Sequence, residues 1–263
     1  MPTAGPLITL LTDFGLADHF VASMKGVILT IHPDARIIDI SHDIGPHQIA
    51  EAAYCLQACY RTFPEGTVHV AVVDPGVGSS RRPILVRTSR YYFVAPDNGV
   101  LTPILNEEPG VEIRQLENRQ YQLESPGATF HARDVFAPAA AWLTKGVALS
   151  SFGRLVADPV GLSWPQPKMK ERTIIGEIVY IDRFGNLISN ISQTQIEAGK
   201  ISRPEVRVGK HVIGNLVASY SEGQADLLHA LINSNGMLEV ILKEMSASEC
   251  LRIGVGAVVE MNG

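Results

Sequence analysis

Two textures of apolar and polar residues run along this chain, and the change between them divides it. "LITLLTD" (7–13) is a short apolar run ended by an aspartate, as expected of a strand buried on both faces. "ADHFVASMKGVILTIHP" then spaces its apolar residues as a helix does and stops at Pro33, and "ARIIDIS" (35–41) returns to a strand, which predicts a βαβ opening. A helix over 47–61, a strand "GTVHVAVVD" (66–74) and two consecutive strands in "PILVRTS" and "YYFVAPDNG" continue the pattern. "HARDVFAPAAAWLTKG" (131–146) reads as a helix ended by a glycine. Strands alternating with helices predict an α/β domain with a doubly wound, mostly parallel sheet. Beyond it "DPVGLSWPQPKMKER" (158–172) is rich in proline, and the remainder reads as short strands separated by turns. The expected organisation is an N-terminal α/β domain over 1–160, a linker over 161–172 and a smaller, all-β, barrel-like domain over 173–263.

Composition narrows the partners. The 263 residues are 46% hydrophobic and 19% charged, enough for a sizeable core. Twenty-two basic against 27 acidic residues leave a formal charge of −5 with no basic run, so the footprint of a nucleic-acid binder is missing and small molecules are the expected partners. The first residues carry no positive leader, and no segment approaches the ~20 apolar residues that cross a bilayer, so the expectation is a cytoplasmic protein with no membrane partner.

Cys55 and Cys59 sit four apart on an apolar helical face and Cys250 stands alone; all three are expected to be buried small hydrophobes. In "SHDIGPH" the grouping of His42, Asp43 and His47 admits a metal cluster, but Ser41 or Asp43 capping a helix that begins near Pro46 accounts for the segment more simply.

Ligands of parallel α/β sheets settle outside the carboxyl ends of the strands. Three aspartates arrive there, each after an apolar run and before a glycine turn: Asp13 in "LLTDFG", Asp74 in "VVDPGVG" and Asp97 in "APDNGV". "DPGVG" lacks the Gly-Lys-Ser/Thr ending of a phosphate loop, although its glycines let a ligand approach the backbone. Arg81 and Arg82 follow seven and eight residues after Asp74. One of them can fold back over the same crevice, and its neighbour is expected to face solvent. His131 stands at a helix start, where backbone N–H groups favour a polarised oxygen.

In order along the chain, "ITLLTDFG", "VHVAVVDPGVGSSRR", "VAPDNGVLTP", "FHARDVFAPAAA" and "IVYIDRFGNLISNI" resemble the S-adenosyl-L-methionine (SAM) hydroxide adenosyltransferases, the adenosine-forming SAM hydrolases that share a fold with fluorinase and chlorinase. The resemblance runs from Ile8 to Val259. It implies attack of a water-derived hydroxide on the ribose C5′ of SAM, with adenosine and L-methionine as products and no cofactor or metal. It maps the catalytic set onto Asp74, Arg81 and His131, with Arg81 stabilising the nucleophile and either Asp74 or His131 taking its proton. The substrate-binding residues it implies are Asp13 on the ribose hydroxyls, Phe14, Asp18 toward the methionine, Asp97, Asn98, Asp182, Asn186, Ser234, Ser248 and Glu249. It also implies a homotrimer with sites between subunits. A halogenase would be expected to lack the Arg–His pair, which stands here in "SSRR" and "FHARD". A non-catalytic SAM or adenosine sensor on the same fold is a second alternative, and hydrolysis of another adenosyl sulfonium or related nucleoside is a third.

Overall fold

The computed structural model describes residues 6–124, 127–201, 204–214 and 216–263, and the chain divides into two compact units between Trp164 and Pro165. The first unit runs β1 (Leu7–Thr12), α1 (Phe20–Ile31), β2 (Arg36–Ser41), α2 (Ile49–Cys59), β3 (Val68–Val72), β4 (Pro83–Arg87), β5 (Tyr92–Pro96), α3 (Thr102–Glu107), β6 (Glu112–Gln115) and α4 (Ala137–Thr144). Its six strands lie in the order β2-β1-β3-β5-β4-β6. The first four in that order are parallel, and β4 runs antiparallel to both β5 and β6.

Every residue of β1 and β3 is buried, which is why these runs show no alternation in the sequence. Ile8 and Leu10 of β1, with Val68, Val70 and Val72 of β3, pack with Met24 and Ile28 of α1 and the alanines of α4. Leu11, Ala71 and Val73 belong to a second core with Ala52 and Leu56 of α2 and Ile104 of α3. Helices on both faces thus sandwich the sheet.

The helix expected over 131–146 has an irregular first turn. Residues Ala132–Phe136 form a π-helical turn, and the α-helix begins at Ala137. Pro138 supplies the reason: its ring obstructs the carbonyl four residues back, and it has no N–H to give that carbonyl. The Asp134 carbonyl accepts instead from the Leu123 N–H at 3.0 Å.

The second unit contains β7 (Lys168–Lys170), β8 (Thr173–Ile181), β9 (Leu187–Ser192), α5 (Gln193–Ala198), β10 (Glu205–Val208), β11 (His211–Ile213), β12 (Leu228–Ile232), β13 (Met237–Leu242), α6 (Ala247–Leu251) and β14 (Val258–Asn262). The strands pair antiparallel in the order β11-β10-β14-β8-β9-β13-β12, with β7 beside β8. After β11 the chain bridges back to β12, Val217 N–H donating to the Ala230 carbonyl at 2.9 Å, so the sheet closes almost into a barrel around Ile174, Ile178, Leu187, Val240 and Met261. The two short helices depart from an all-β expectation, and both have capping serines. Ser192 accepts from Gln195 N–H and Ser246 from Glu249 N–H, the Ser-x-x-Gln/Glu pattern that starts helices.

Cys55 and Cys59 are only partly buried rather than fully buried as expected, although burial still raises their thiols to about 11 and about 12 and keeps them unreactive. Cys250 departs from the expectation, lying exposed in the last turn of the five-residue α6. Among the described residues no helix is long and apolar enough to cross a membrane.

Candidate active site

The connection from β1 leads outward to β2, and the chain then returns to place β3 on the other side of β1. The strand order reverses there, and a crevice opens beyond the carboxyl ends of β1 and β3. A cavity of about 290 Å³ occupies it, lined among others by Asp13, Phe14, Phe20, His47, Asp74, Phe130 and His131. Phe14, Phe20 and Phe130 contact one another at centroid separations of 5.2–6.0 Å and form an aromatic wall.

Asp13 follows directly from β1. Its Oδ2 accepts the backbone N–H of His47 at 2.9 Å, and His47 is held at φ 66°, a conformation uncommon for a residue with a side chain. The segment carrying His47 is tied to the same turn, since Gly15 N–H donates to the His42 carbonyl at 2.7 Å and the His42 Nδ1 lies 2.8 Å from the Thr12 hydroxyl. On its other side the buried His42 ring meets Asp39 at 3.1 Å, which Lys25 in turn holds at 2.6 Å. The expected helix cap is absent here. Ser41 Oγ accepts from the Asp43 N–H and Glu51 accepts from the Gly45 N–H, so both polar groups serve the loop before α2, which begins only at Ile49.

Asp74 and His131 line the cavity, and Arg81, outside its lining, joins the two. Arg81 Nε donates to both Asp74 oxygens, at 2.8 and 3.0 Å, and Nη2 donates to Oδ2 as well. The same Nη2 lies 2.9 Å from His131 Nδ1. A guanidinium only donates, so Nδ1 is the accepting nitrogen and the imidazole proton belongs on Nε2. Burial first, and the neighbouring Arg81 charge second, hold the His131 pKa below the ordinary imidazole value, with Asp74 and Asp134 opposing them. The guanidinium lies 5.2 Å from the centre of the Phe136 ring, and its Nη1 is buried without a hydrogen-bond partner among the described residues.

Two loops hold this arrangement. Residues 74–82 join parallel β3 to antiparallel β4, so both the aspartate and the arginine emerge at the same edge of the sheet. Gly78 in that loop has φ +79°, and a Cβ there would stand 2.6 Å from the Ala128 carbonyl oxygen, so only glycine lets the two backbones touch. On the other side the fully buried Asp134 accepts from the Gly127 N–H at 2.9 Å and from both Arg133 Nε and Nη2, and Arg133 lies over the Phe130 ring at 4.9 Å.

Other expected residues lie elsewhere. Arg82 does not face solvent as expected: it bonds Asp97 at 2.6–2.8 Å and Asp158 at 2.7 Å. Asp97, only 3% exposed, also accepts the Val160 N–H at 2.8 Å, so both its oxygens are used to dock the 158–160 segment and neither reaches the cavity. Asn98 donates to the Val73 carbonyl and accepts from Val100 N–H, bracing the turn after β5. Asp18 is exposed in the loop before α1, outside the cavity lining.

In the second unit a separate cavity of about 670 Å³ is lined by Asp182, Phe184, Asn186, Tyr220 and Ser246, among others. Asp182 accepts the N–H groups of Phe184 and Asn186 and the Asn186 side chain, which folds "DRFGN" into a tight turn and leaves the Phe184 ring 77% exposed. Gly185 at φ +81° is required because a Cβ would collide with Ser246. Tyr220 donates to the buried Glu239, and burial raises that carboxyl's pKa. Ser234 is exposed in the turn between β12 and β13. Ser248 donates to the Ile253 carbonyl, and Glu249 presents its backbone to Ser246, so these three stand outside the cavity lining. The sequence did not point to Phe20, Phe130, Phe184 or Tyr220, and it offered His47 only for a metal cluster. The three phenylalanines lie within "ADHFVASMKGVILTIHP", "FHARDVFAPAAA" and "IVYIDRFGNLISNI".

Comparison with known proteins follows the division of the chain. Residues 8–153 match the model of the SAM hydroxide adenosyltransferase N-terminal domain, and residues 176–260 match that of the C-terminal domain. An (R)-S-adenosyl-L-methionine hydrolase of Methanocaldococcus jannaschii is 35% identical over 94% of this chain and 92% of its own. A fluorinase of Actinoplanes is 30% identical over 76% of this chain and 77% of its own. The crystal structure of an uncharacterized conserved protein from Thermotoga maritima superimposes with a TM-score of 0.91 at 36% identity, covering 97% of this chain and all of that one.

Proposed function

Because the chain belongs to the SAM hydroxide adenosyltransferase family, we propose that it is an enzyme hydrolysing SAM to adenosine and L-methionine, with the (R) sulfonium epimer preferred, as the name of its hydrolase relative specifies. The observation that carries the reading is the continuous Asp74–Arg81–His131 chain, whose two ends, Asp74 and His131, line the switch-point cavity. The second Asp13 oxygen, Oδ1, is without a partner among the described residues and is placed to accept from ribose hydroxyls. The aromatic wall suits the sulfonium, because ring faces attract cations.

The chemistry asks little of the protein beyond position and field. A water oxygen bonds to C5′ as the C5′–S bond breaks, the bonding pair passes to sulfur, and methionine leaves as a neutral thioether without needing a general acid. Reactants held in line supply much of the acceleration. The Arg81 charge stabilises the hydroxide character that develops on the water. Between the two proton acceptors, the geometry favours Asp74. His131 has its basic nitrogen occupied by Arg81 and offers only an N–H, so it orients the water as a donor, whereas Asp74 Oδ1, which accepts from Arg81 Nε alone, keeps a lone pair. The proton then passes to solvent.

Independence of metal ions belongs to this proposal, since a fixed guanidinium supplies the cationic field. So does a cytoplasmic location, where the substrate is used. A homotrimer is its finer form, supported by the occurrence of candidate binding groups in both units. The intact Arg–His pair favours hydroxide over halide as the nucleophile.

The test is incubation of the purified protein with each SAM epimer without halide, followed by chromatography for adenosine and methionine. Both products are expected, faster from the (R) epimer. Bound but intact SAM would replace the reading with a sensor, and an adenosyl halide formed on adding chloride or fluoride would replace it with a halogenase.

A further inference from the structure

Each residue of the turn that follows β1 has a tether, and His42 stands behind two of them. Asp13 Oδ2 accepts the His47 N–H at 2.9 Å, the Phe14 N–H donates to the Thr12 hydroxyl at 3.3 Å, and the Gly15 N–H donates to the His42 carbonyl at 2.7 Å. The Phe14 contact closes a small turn around Asp13, of the kind a threonine makes with the N–H two residues on. The same hydroxyl is held by the His42 ring, whose Nδ1 lies 2.8 Å away. His42 therefore holds the turn twice, by its backbone and by its ring, while standing outside the cavity lining.

The local backbone makes this possible. β1 and β2 pair in parallel, but the register slips between Leu10 and Leu11, whose partners are Asp39 and Ser41, so Ile40 is an extra residue in β2. Residues three apart on a regular strand face opposite sides, and a bulge re-aims a side chain. Here the extra residue falls between Asp39 and His42, and the two side chains meet. Nε2 stands 3.1 Å from Asp39 Oδ1, an ion-pair separation although out of line for a full hydrogen bond. The carboxylate favours the imidazole proton on Nε2, which leaves Nδ1 to accept and makes the Thr12 hydroxyl its donor. The threonine oxygen keeps its lone pairs for the Phe14 N–H. Lys25 completes the chain from the surface, 2.6 Å from Asp39 Oδ2.

We propose that His42 is a positioning residue for substrate selection: through Thr12 and Gly15 it aims Asp13 Oδ1 at the ribose, so the preference for an intact ribose is set by a side chain outside the cavity. The inference rests on the hydrolase reading and on Asp13 as the acceptor of the ribose hydroxyls. An acceptor placed for a hydroxyl penalises the analogue that lacks it, because the acceptor is then left unpaired. An acceptor free to swing loses that discrimination before the reaction is lost, since Arg81 and His131 stand on other segments of the chain.

The test compares kcat/KM for SAM and for its 2′-deoxyribose analogue in two amide variants. The amide of asparagine stands as far from the backbone as Nδ1 of histidine, and that of glutamine as far as Nε2. His42→Asn thus keeps an acceptor for Thr12 and loses the reach to Asp39, whereas His42→Gln does the reverse. Both lose the buried ring, so its packing cancels in the comparison. Wild type is expected to prefer SAM over the deoxy analogue by about tenfold or more. In His42→Gln that preference is expected to fall to about threefold or less, with KM for SAM raised more than kcat is lowered. His42→Asn is expected to retain it. Thr12→Val removes the hydroxyl at nearly constant shape and is expected to behave as His42→Gln, and the double variant Thr12→Val/His42→Gln to be no worse than either alone, because both remove one contact. An undiminished preference in His42→Gln or in Thr12→Val overturns the proposal, and Thr12→Val carries the test alone where His42→Gln does not fold. Equal loss in His42→Asn and His42→Gln also overturns it, as does a wild type that hydrolyses both substrates alike. Wild-type protein that releases no adenosine from SAM is a different failure, of the hydrolase reading itself, and is seen before any variant is made.

Discussion

His69 makes the stability of the first unit depend on acid, by an amount the structure allows to be worked out. Its ring is fully buried in β3, 5.2 Å from Phe93 in a stacked arrangement and edged by Tyr60 and Phe63. Nδ1 lies 2.8 Å from the Thr9 hydroxyl, and Nε2 has no partner among the described residues. Burial pulls the pKa from 6.5 to about 3. A base whose pKa is lower in the folded chain costs stability on acidification, since below pH 6.5 the unfolded chain takes up a proton that the folded one refuses until about pH 3. At pH 5 the gap is 1.5 units, and at 1.36 kcal/mol per unit the loss relative to pH 7 is about 2 kcal/mol. The double variant Thr9→Val/His69→Phe removes the titrating ring together with its hydroxyl partner, which avoids leaving an orphaned donor. Both tryptophans, Trp142 and Trp164, lie in the first unit, so urea unfolding followed by their fluorescence reports on it. Wild type is expected to lose about 2 kcal/mol more than the double variant between pH 7 and 5. Equal losses would refute the assignment of that proton to His69.

Gly78→Ala forces a Cβ into the Ala128 carbonyl at a left-handed backbone position, so kcat is expected to fall about tenfold or more with the chain still folded; wild-type kcat would show that this contact does not set the Arg81–His131 geometry. His131 is held below the ordinary imidazole pKa, so it stays neutral at neutral pH and the acid limb of kcat is expected below pH 6.5. Because Arg81 contributes to that depression, the His131 titration followed by NMR should move upward in Arg81→Ala, and a downward shift would contradict the sign. Asp97→Asn is expected to lower stability by about 1–3 kcal/mol by weakening a buried acceptor of Arg82 and Val160, with KM for SAM unchanged; a raised KM would return Asp97 to the binding site.

The parallel core was legible because burial on both faces writes unbroken apolar runs, as in β1 and β3, and the three strand-end aspartates announced the edge where chemistry gathers. That Asp74 reaches the cavity while Asp97 turns to Arg82 was not legible, since both share the same local pattern and differ only in what lies across the fold. Arg82 was misplaced for the same reason, its partner Asp158 being 76 residues away. The short helices α5 and α6 carried readable capping signals in Ser192 and Ser246, and a reading guided by strand texture alone passed over them. His47 and Phe130 owe their places in the cavity to chain segments folded against Asp13 and Gly78, which no periodicity reports.

The π-helical turn after His131 amounts to one extra residue wound into the start of α4. Each residue of an α-helix turns the chain by about 100°, so the direction in which His131 leaves the helix is set by a count of residues as much as by any side chain. Deleting one residue within 133–136 would change that count and swing the imidazole about a quarter turn away from Arg81. The site is therefore sensitive to the number of residues in this turn as well as to the buried Asp134 and Phe136 that it carries.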